Sequence, residues 1–288
     1  MGRSLPAVES SDWEEGRFPL LGIWIADRTR VDRIGRHRND AAMKQTTFRG
    51  FKLFYENRDA TESMIRAADD FPSVPVMESL RFDVSQQPTV IDCGANIGVS
   101  VLEWKTRWPM ARIICFEPDP FAFRLLQKNI DSNDIPAVKC FQAALSDTDG
   151  RCEFYGQIGK GADARGNSVN PQWGQRQQTA CCRVPCRRLS PFLDQPVAFL
   201  KMDIEGLEES VLRESAHRLT NVQSIYVEVH ETDALRQCNS KQRIEQLLIE
   251  AGFRIDNESR YQPHALPPAL RRWQRQVGAR QSHVFAWR

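Results

Sequence analysis

The chain has 288 residues and a formal net charge of +2, too small for its field alone to indicate a nucleic-acid partner. Its eight cysteines lack the spacing of a disulfide framework, and no apolar run approaches the length of a membrane span. We therefore expect a cytoplasmic protein with reduced thiols and a full hydrophobic core, and neither nucleic acid nor a membrane as its partner.

The first 80 residues carry few apolar anchors and are predicted to form an irregular arm followed by a small cap. Residues 47–55 have the pattern of a strand or hairpin, and residues 60–68 have a partial apolar stripe at helical spacing. Such a segment cannot bury a core alone. We therefore divide the chain into an N-terminal arm and cap, residues 1–80, and a main domain, residues 81–288, and expect the cap to help close a substrate pocket.

From residue 88 the main domain alternates short apolar runs with helical patterns, which is the rhythm of a doubly wound α/β sheet. The glycine-, asparagine- and glutamine-rich stretch 156–178 has no periodicity and is either a substrate lid or disordered. The predicted elements, in chain order, are strand 90–91, helix 98–108, strand 111–116, helix 121–130, strands 137–141, 151–155, 180–184 and 197–204, helix 207–219, strand 222–229, helix 241–251, and strands 253–256 and 282–287.

The main domain is organised around a glycine-rich turn. Its first strand leads into GANIG, residues 94–98, and then into a helix. Glycines let the backbone approach a ligand closely, and the free N–H groups of a helix start bind anions, so this pattern is typical of a nucleotide-like ligand. Asn96 stands where a dinucleotide site has its middle glycine, which disfavours a pyrophosphate.

Acidic residues follow the ends of several predicted strands, at the edge where open parallel sheets bind ligands. Gathered anions repel one another, so we expect a cationic or hydroxyl-rich ligand, or a metal, to offset them. Glu117 follows the glycine turn by about twenty residues, the spacing at which a carboxylate accepts both hydroxyls of a ribose. S-adenosylmethionine (SAM) and NAD both contain ribose, but the cationic groups of SAM suit the acids better. The acids are Asp92, Glu117, Asp203, Glu205, Glu228 and Glu231.

Five sequence blocks together resemble the FkbM family of SAM-dependent methyltransferases. The resemblance extends from about residue 80 to 255 and implies a class I, Rossmann-like methyltransferase fold, whose seven-stranded and mostly parallel sheet has an antiparallel last strand. It also implies SAM as cofactor and, usually, O-methylation of a hydroxyl on a sugar or natural product. The blocks are VIDCGANIG (90–98), FEPDP (116–120), ALSD (144–147), LKMDIEGLE (200–208) and VEVH (227–230).

The same resemblance implies roles for individual residues around SAM. Asp92 would lie near the amino group of the methionine part, and the glycine turn would surround that part. Glu117 would accept the ribose hydroxyls, while Ser146 and Asp147 would face adenine and Asp147 would accept its exocyclic amine. The implied cofactor-binding residues are Asp92, Gly94, Asn96, Gly98, Glu117, Pro118, Ser146 and Asp147.

Methyl transfer to an alcohol needs a nucleophile held in line with the methyl group and a base that removes its proton. The candidate bases follow two adjacent predicted strands. We rank Glu228 and His230 together first, then Asp203, then Glu205. The same four residues could instead hold a divalent metal, although Glu205 equally fits the first-turn acid of a helix and His230 a structural histidine.

Other functions stay open at this point. The alternatives are N-methylation of an amine or guanidine, an NAD-dependent oxidoreductase, and a SAM- or nucleotide-binding module without catalysis. In each enzymatic case the expected partner is a small-molecule acceptor or substrate. The sequence determines neither the acceptor nor the oligomeric state.

Overall fold

The computed structural model describes residues 43–70, 87–156, 166–173, 179–256, 275–276 and 278–288. Three sequence predictions lie wholly or partly outside these ranges: the irregular arm, the end of the cap, and most of the 156–178 stretch. The description below concerns the compact unit that begins at Met43.

The predicted elements within the described ranges occur in the predicted order, with boundaries that differ by a few residues, whereas the short strand Ala144–Leu145 and the two 3₁₀ helices were not predicted. In chain order they are β1 (Lys44–Phe48), β2 (Phe51–Tyr55), α1 (Arg58–Asp70), β3 (Thr89–Cys93), α2 (Val99–Arg107), β4 (Arg112–Phe116), α3 (Pro120–Asp131), β5 (Val138–Phe141), β6 (Ala144–Leu145), β7 (Gly150–Gly156), β8 (Ala180–Arg187), a 3₁₀ helix (Ser190–Leu193), β9 (Val197–Met202), α4 (Glu208–Ser215), a second 3₁₀ helix (Ala216–Asn221), β10 (Val222–Glu231), α5 (Lys241–Glu250), β11 (Arg254–Ile255) and β12 (Arg280–Trp287).

Seven strands form the central sheet, in the order β11-β12-β10-β9-β3-β4-β5. The last strand, β12, runs antiparallel to both neighbours, and the pairings from β10 to β5 are parallel. The predicted seven-stranded, mostly parallel sheet with an antiparallel last strand is therefore confirmed. The chain moves outward from β3 through β4 to β5 and then crosses back to β9, so the strand order reverses beside β3, where such sheets bind ligands.

Both faces of the sheet are covered by core, which explains why its strands read as continuous apolar runs. In β9, Phe199 packs on one face against Trp104 and Trp108. The next residue, Leu200, belongs to the core of the opposite face. Among the described helices, none is both long and apolar enough to cross a bilayer.

One predicted helix is interrupted. The helical pattern of residues 207–219 forms α4 only as far as Ser215 and continues as a 3₁₀ helix. The buried Ser215 hydroxyl donates to the carbonyls of Val211 and Leu212, and such local side-chain bonds compete with regular helix geometry. The turn before α4 also begins earlier than predicted, since β9 ends at Met202 and leaves Asp203 outside the strand.

The N-terminal hairpin and α1 pack on α2 and α3 through one apolar cluster, which includes Leu53 and Leu125. Asn129, in α3, and Asn133, in the turn after it, bind the backbone of β2. Asn129 bonds both the N–H and the carbonyl of Phe54, at 2.6 and 3.1 Å. Asn133 does the same for Lys52, at 2.8 Å each. The boundary predicted at residue 80 stays a prediction.

Candidate active site

A cleft opens at the carboxyl ends of β3, β4, β9 and β10. It is open to solvent and is lined by residues from each of these strand ends, as ligand sites of open α/β sheets are. One wall comes from α1, where Met64 and Ala67 line it, and another from the small sheet of β6, β8 and β7. Seven of the twelve predicted site residues line the cleft: Gly94, Asn96, Glu117, Pro118, Asp203, Glu205 and Glu228.

The glycine turn is pressed against the neighbouring strand ends. Gly94 has φ +83°, and a Cβ atom there would lie 1.9 Å from the carbonyl oxygen of Asp203. The N–H groups of Gly94 and Ala95 both donate to the carbonyl of Phe116. Gly98 lies outside the cleft lining, and its missing Cβ lets α2 approach Leu126 of α3 instead. The turn therefore needs glycine at residue 94, because any side chain there would collide with the backbone of Asp203.

Glu117 is held by two backbone donors. The N–H of Asn96 donates to its Oε2 at 2.8 Å, and the N–H of Asp119 donates to its Oε1 at 2.7 Å. Each oxygen keeps a second lone pair for another donor. Burial, reinforced by the nearby Asp119 carboxylate, raises the pKa of Glu117 to about 8 against the effect of those two donors. The carboxylate is thus oriented on the cleft wall and is costly to keep charged without a ligand.

The raised pKa of Glu117 predicts that SAM binding depends on pH. If Glu117 accepts the ribose hydroxyls as the sequence predicts, they donate to the ionised carboxylate, and bound SAM should lower this pKa below about 8. Affinity should then rise with pH, by up to about tenfold per unit, and level off above pH 8. Calorimetry in buffers of different ionisation enthalpy should detect proton release at pH 7. A pH-independent affinity between pH 6 and 8 would contradict the role of Glu117.

Asp92 and Lys201 form a buried pair behind the glycine turn. Asp92 is fully buried, accepts a hydrogen bond from the Trp104 indole at 2.9 Å, and lies 3.3 Å from Lys201 Nζ. Lys201 also donates to the Gly94 carbonyl at 2.7 Å. Burial lowers the pKa of Lys201, but Asp92, Asp203 and Glu228 outweigh it and raise that pKa. The predicted contact of Asp92 with SAM stays a prediction, because Lys201 rather than Asp92 lines the cleft.

His230 is the fully buried centre of the acidic cluster. Its Nδ1 donates to Glu208 Oε1 at 2.9 Å. Its Nε2 lies 3.4 Å from Glu205, 3.7 Å from Glu228 and 3.9 Å from Asp203. Burial disfavours the charged ring, but Glu205, Glu208 and Glu228 outweigh it and raise the pKa of His230 well above its usual value. The ring is therefore an internal cation that holds the carboxylates together.

These internal cations change one expectation drawn from the sequence. We expected a ligand or metal to offset the gathered acids, but Lys201 and His230 already offset part of their charge. A lysine inside an apolar strand is the signal that sequence reasoning missed, because such a lysine needs anionic partners when it is buried.

Glu205 lies in a strained turn that several residues stabilise. Its φ is +59°, a left-handed conformation uncommon for residues other than glycine. The Ser168 hydroxyl donates to its carbonyl at 2.6 Å. The buried Glu208 accepts the N–H of Gly206 at 3.0 Å and the side-chain amide of Asn239 at 2.6 Å. These hydrogen bonds therefore hold the strained turn on both sides of Glu205. In this conformation Glu205 lines the cleft.

Glu228 has a tyrosine partner that the sequence did not indicate. The Tyr226 hydroxyl lies 3.3 Å from Glu228 Oε2 and 2.7 Å from His283 Nδ1. Burial, with the nearby His230, lowers the pKa of His283 to about 4, so this ring is neutral. Tyr226 lines the cleft beside Glu228, which places a hydroxyl next to the first-ranked base.

Ser146 and Asp147 lie outside the cleft lining. They follow β6, whose residues Ala144 and Leu145 form that wall. Asp147 is exposed and accepts a hydrogen bond from the Ser146 hydroxyl at 3.2 Å. Their contact with adenine stays a prediction.

The described part of the predicted lid, residues 166–173, borders the cleft. Gly166, Asn167 and Val169 line it, and Asn167 donates to Asp119 at 3.1 Å. The Trp173 ring packs edge-on against His230, with centroids 4.9 Å apart. This segment therefore contacts both the Glu117 side of the cleft and the His230 side.

One group of residues in the described ranges has the geometry of a metal site. The ligand atoms of Asp203, Glu228 and His230 lie within 4.8 Å of one another. The divalent metal considered from the sequence stays a prediction.

Comparison with known proteins identifies the family. The chain is 31% identical over 152 residues to Methyltransferase 1 of Beauveria bassiana, covering 46% of this chain and 61% of that protein. It is 28% identical over 205 residues to Methyltransferase sdnD of Sordaria araneosa, covering 61% and 77%. It is 28% identical over 156 residues to the 2-O-methyltransferase NoeI of Sinorhizobium fredii, covering 49% and 63%. The chain thus spans less than two thirds of the length of two of these relatives.

Among solved structures, the chain is similar to the FkbM methyltransferase of Methylobacillus flagellatus, at 18% identity and a TM-score of 0.41, covering 61% of this chain and 40% of that one. It is also similar to TYW2 of M. jannaschii in complex with AdoMet, at 12% identity and a TM-score of 0.45, covering 85% of each chain.

The nicotinamide-dependent oxidoreductase and the module without catalysis gain no support from these relatives, which are named as methyltransferases. Residues 92–255, more than half of the chain, match the model of the methyltransferase FkbM domain. The chain therefore belongs to the FkbM family of SAM-dependent methyltransferases.

Proposed function

We propose that the protein transfers the methyl group of SAM to a hydroxyl oxygen of a small saccharide or natural product. One observation carries the proposal: a single cleft joins the oriented carboxylate of Glu117 to the carboxylates of Asp203, Glu205 and Glu228. The Glu117 carboxylate suits a ribose diol. The other three carboxylates suit an acceptor that donates hydrogen bonds and must lose a proton.

Donor binding uses the Glu117 side of the cleft. Glu117 accepts the ribose hydroxyls, and Gly94 and Asn96 border the methionine part. Ser146 and Asp147 are retained as adenine contacts. Asp92 positions Lys201, which lines the cleft in its place. SAM then supplies an electrophilic methyl group on a sulfonium, and the chain holds the acceptor in line with it.

Glu228 is the base that we place first. It lines the cleft, whereas His230 is fully buried behind it. As the methyl carbon bonds to the acceptor oxygen, the bond to sulfur breaks and sulfur keeps the electron pair. The hydroxyl proton passes to Glu228. His230 and Tyr226 orient this carboxylate, and Glu205 and Asp203 take neighbouring hydroxyls.

The acceptor atom is tested with SAM that carries a labelled methyl group. We expect labelled methyl ethers from a panel of neutral glycosides and hydroxylated natural products, and no labelled amines from matched amino compounds. The name of one relative, a 2-O-methyltransferase, supports oxygen as the acceptor. Label found on nitrogen would replace this proposal by N-methylation.

Glu228→Gln should lower kcat by roughly 10² to 10⁴, because a positioned base contributes about that much. SAM affinity should change by about tenfold at most. The matched control is Glu231→Gln, on the same strand but outside the cleft, for which kcat should be unchanged. Equal activity of Glu228→Gln and the control would remove Glu228 from the base role.

We propose separately that a divalent cation assists by binding Asp203, Glu228 and His230. Glu208 holds Nδ1 of His230 and leaves Nε2 facing the carboxylates, as carboxylates behind metal-binding histidines do. The cation would displace the Nε2 proton and take over from the charged ring the role of offsetting the carboxylates. Enzyme treated with EDTA should lose at least about tenfold in activity and regain it with Mg²⁺ or Mn²⁺. Full activity after chelation would rule out the cation and leave the base mechanism intact.

A further inference from the structure

The turn of the N-terminal hairpin contains a residue that does not suit it. Phe48 at the end of β1 pairs with Phe51 at the start of β2, so Arg49 and Gly50 form a two-residue loop. Both have positive φ, +51° and +86°. Such loops favour Asn-Gly, because asparagine tolerates the left-handed conformation better than arginine does. The arginine therefore strains the turn, and strain of this kind points to a function of the side chain.

The Arg49 side chain joins three elements. Its Nε donates to Oε2 of Glu103 in α2 at 2.8 Å, and its Nη2 lies 2.9 Å from Oδ1 of Asp69 near the end of α1. Glu103 is 3% exposed and lines the cleft, so part of this link is shielded from solvent. The guanidinium therefore ties the hairpin, α1 and α2 to one another.

The link reaches the α1 wall of the cleft. Ala67 and Ala68 directly precede Asp69, and both line the cleft. The glycine turn lines the same cleft, and α2 begins directly after that turn. Because α1 packs against α2, the link between these two helices determines how closely the α1 wall approaches a ligand at the glycine turn.

We infer that Arg49 is a positioning residue for SAM binding: by holding Asp69 and Glu103 together, it keeps the α1 wall against the bound donor. Arg49 itself lies outside the cleft lining. It also lies outside residues 92–255, which match the family model, so this contribution comes from the N-terminal hairpin rather than from the matched domain. The inference rests on the proposed function in one respect, that the donor binds in this cleft.

The test measures the binding of SAM to Arg49→Asn by calorimetry on the full chain. Asparagine is a preferred residue for this turn. Arg107 still pairs with Glu103 at 2.8 Å, so the buried carboxylate keeps a cationic partner. The affinity for SAM should nevertheless fall by roughly three- to thirtyfold, which is the range for substitutions that act on a binding site without touching its ligand.

Gly50→Ala is the matched control from the same turn. It leaves both ion pairs of Arg49 in place, and it should retain the affinity for SAM although the left-handed conformation makes it less stable. A merely structural role of Arg49 would make the loss of affinity follow the loss of stability in both variants. Urea unfolding of each variant measures that stability.

Asp69→Asn tests the link to α1 alone. Asp69 is about half exposed, and exposed ion pairs contribute modestly, so the affinity for SAM should fall by about two- to fivefold. In the Arg49→Asn background the same substitution should cause no further loss, because the two changes remove one shared contact. The control on α1 is Glu62→Gln, whose carboxylate pairs within the helix with Arg58 and Arg66, and its affinity should be unchanged.

The outcomes separate the inference from the proposed function. If Arg49→Asn binds SAM as tightly as the unchanged protein, or loses affinity only in proportion to its stability, the positioning role is overturned while the proposed function stands. If Arg49→Asn does not fold, equal affinities of Asp69→Asn and Glu62→Gln overturn the inference in its place. If the unchanged protein does not bind SAM, the proposed function fails.

Discussion

Gly94→Ala should abolish SAM binding and lower the free energy of unfolding by roughly 2 to 5 kcal/mol. A left-handed conformation costs a residue with Cβ about 1–2 kcal/mol, and overpacking against fixed atoms costs about 1–3 more. Here the added Cβ would lie 1.9 Å from the Asp203 carbonyl. The backbone must therefore move at the point where the proposed donor and acceptor sides of the cleft meet.

Gly50→Ala is the matched control for this prediction. Gly50 has φ +86°, close to the +83° of Gly94, but no atom lies within 4 Å of its added Cβ. The free energy of unfolding of Gly50→Ala should fall only by the cost of the left-handed conformation, about 1–2 kcal/mol. Its affinity for SAM should be unchanged. Urea unfolding and calorimetry measure both effects. Equal losses in the two variants would show that the approach to Asp203 does not constrain the turn.

Glu117→Ala should weaken SAM binding by a factor of roughly 100 or more. The variant loses two hydrogen bonds from ribose to a charged acceptor, each contributing about 1.5–3 kcal/mol. It also leaves the N–H groups of Asn96 and Asp119 without this acceptor, so the free protein should be less stable as well. Calorimetry with SAM measures the first effect and urea unfolding the second.

Glu153→Ala provides the comparison for Glu117, because it removes an exposed carboxylate away from the cleft. Its affinity for SAM should equal that of the unchanged protein. If Glu117→Ala also retains its affinity, ribose does not bind at this wall and the assignment of the donor side is wrong.

Much of the fold could be predicted because local patterns determine it. The alternation of apolar runs and helical stripes indicated the sheet, and the glycine turn marked its switch point. Glu228 and His230 are two residues apart in one strand, so they share a face, and the structure brings both into one cluster.

The remaining site residues depend on contacts between distant segments. Lys201 pairs with Asp92 across neighbouring strands, and Glu208 and Asn239 meet beside His230 from separate elements. Trp173 reaches His230 from a stretch without periodicity. The spacing of residues in the sequence does not indicate such contacts. The position of Ser146 depends instead on where the two-residue strand β6 ends.

The attachment of β2 to Asn129 and Asn133 determines how one wall of the cleft is held. The side chains of Asn129, in α3, and Asn133, just after it, bond the free edge of β2. Among the described strands, β1 and β2 pair with each other and with no strand of the seven-stranded sheet. The α1 wall of the cleft is therefore attached to the sheet through side chains rather than through strand pairing, so substitutions in the hairpin should change that wall and leave the sheet unaltered.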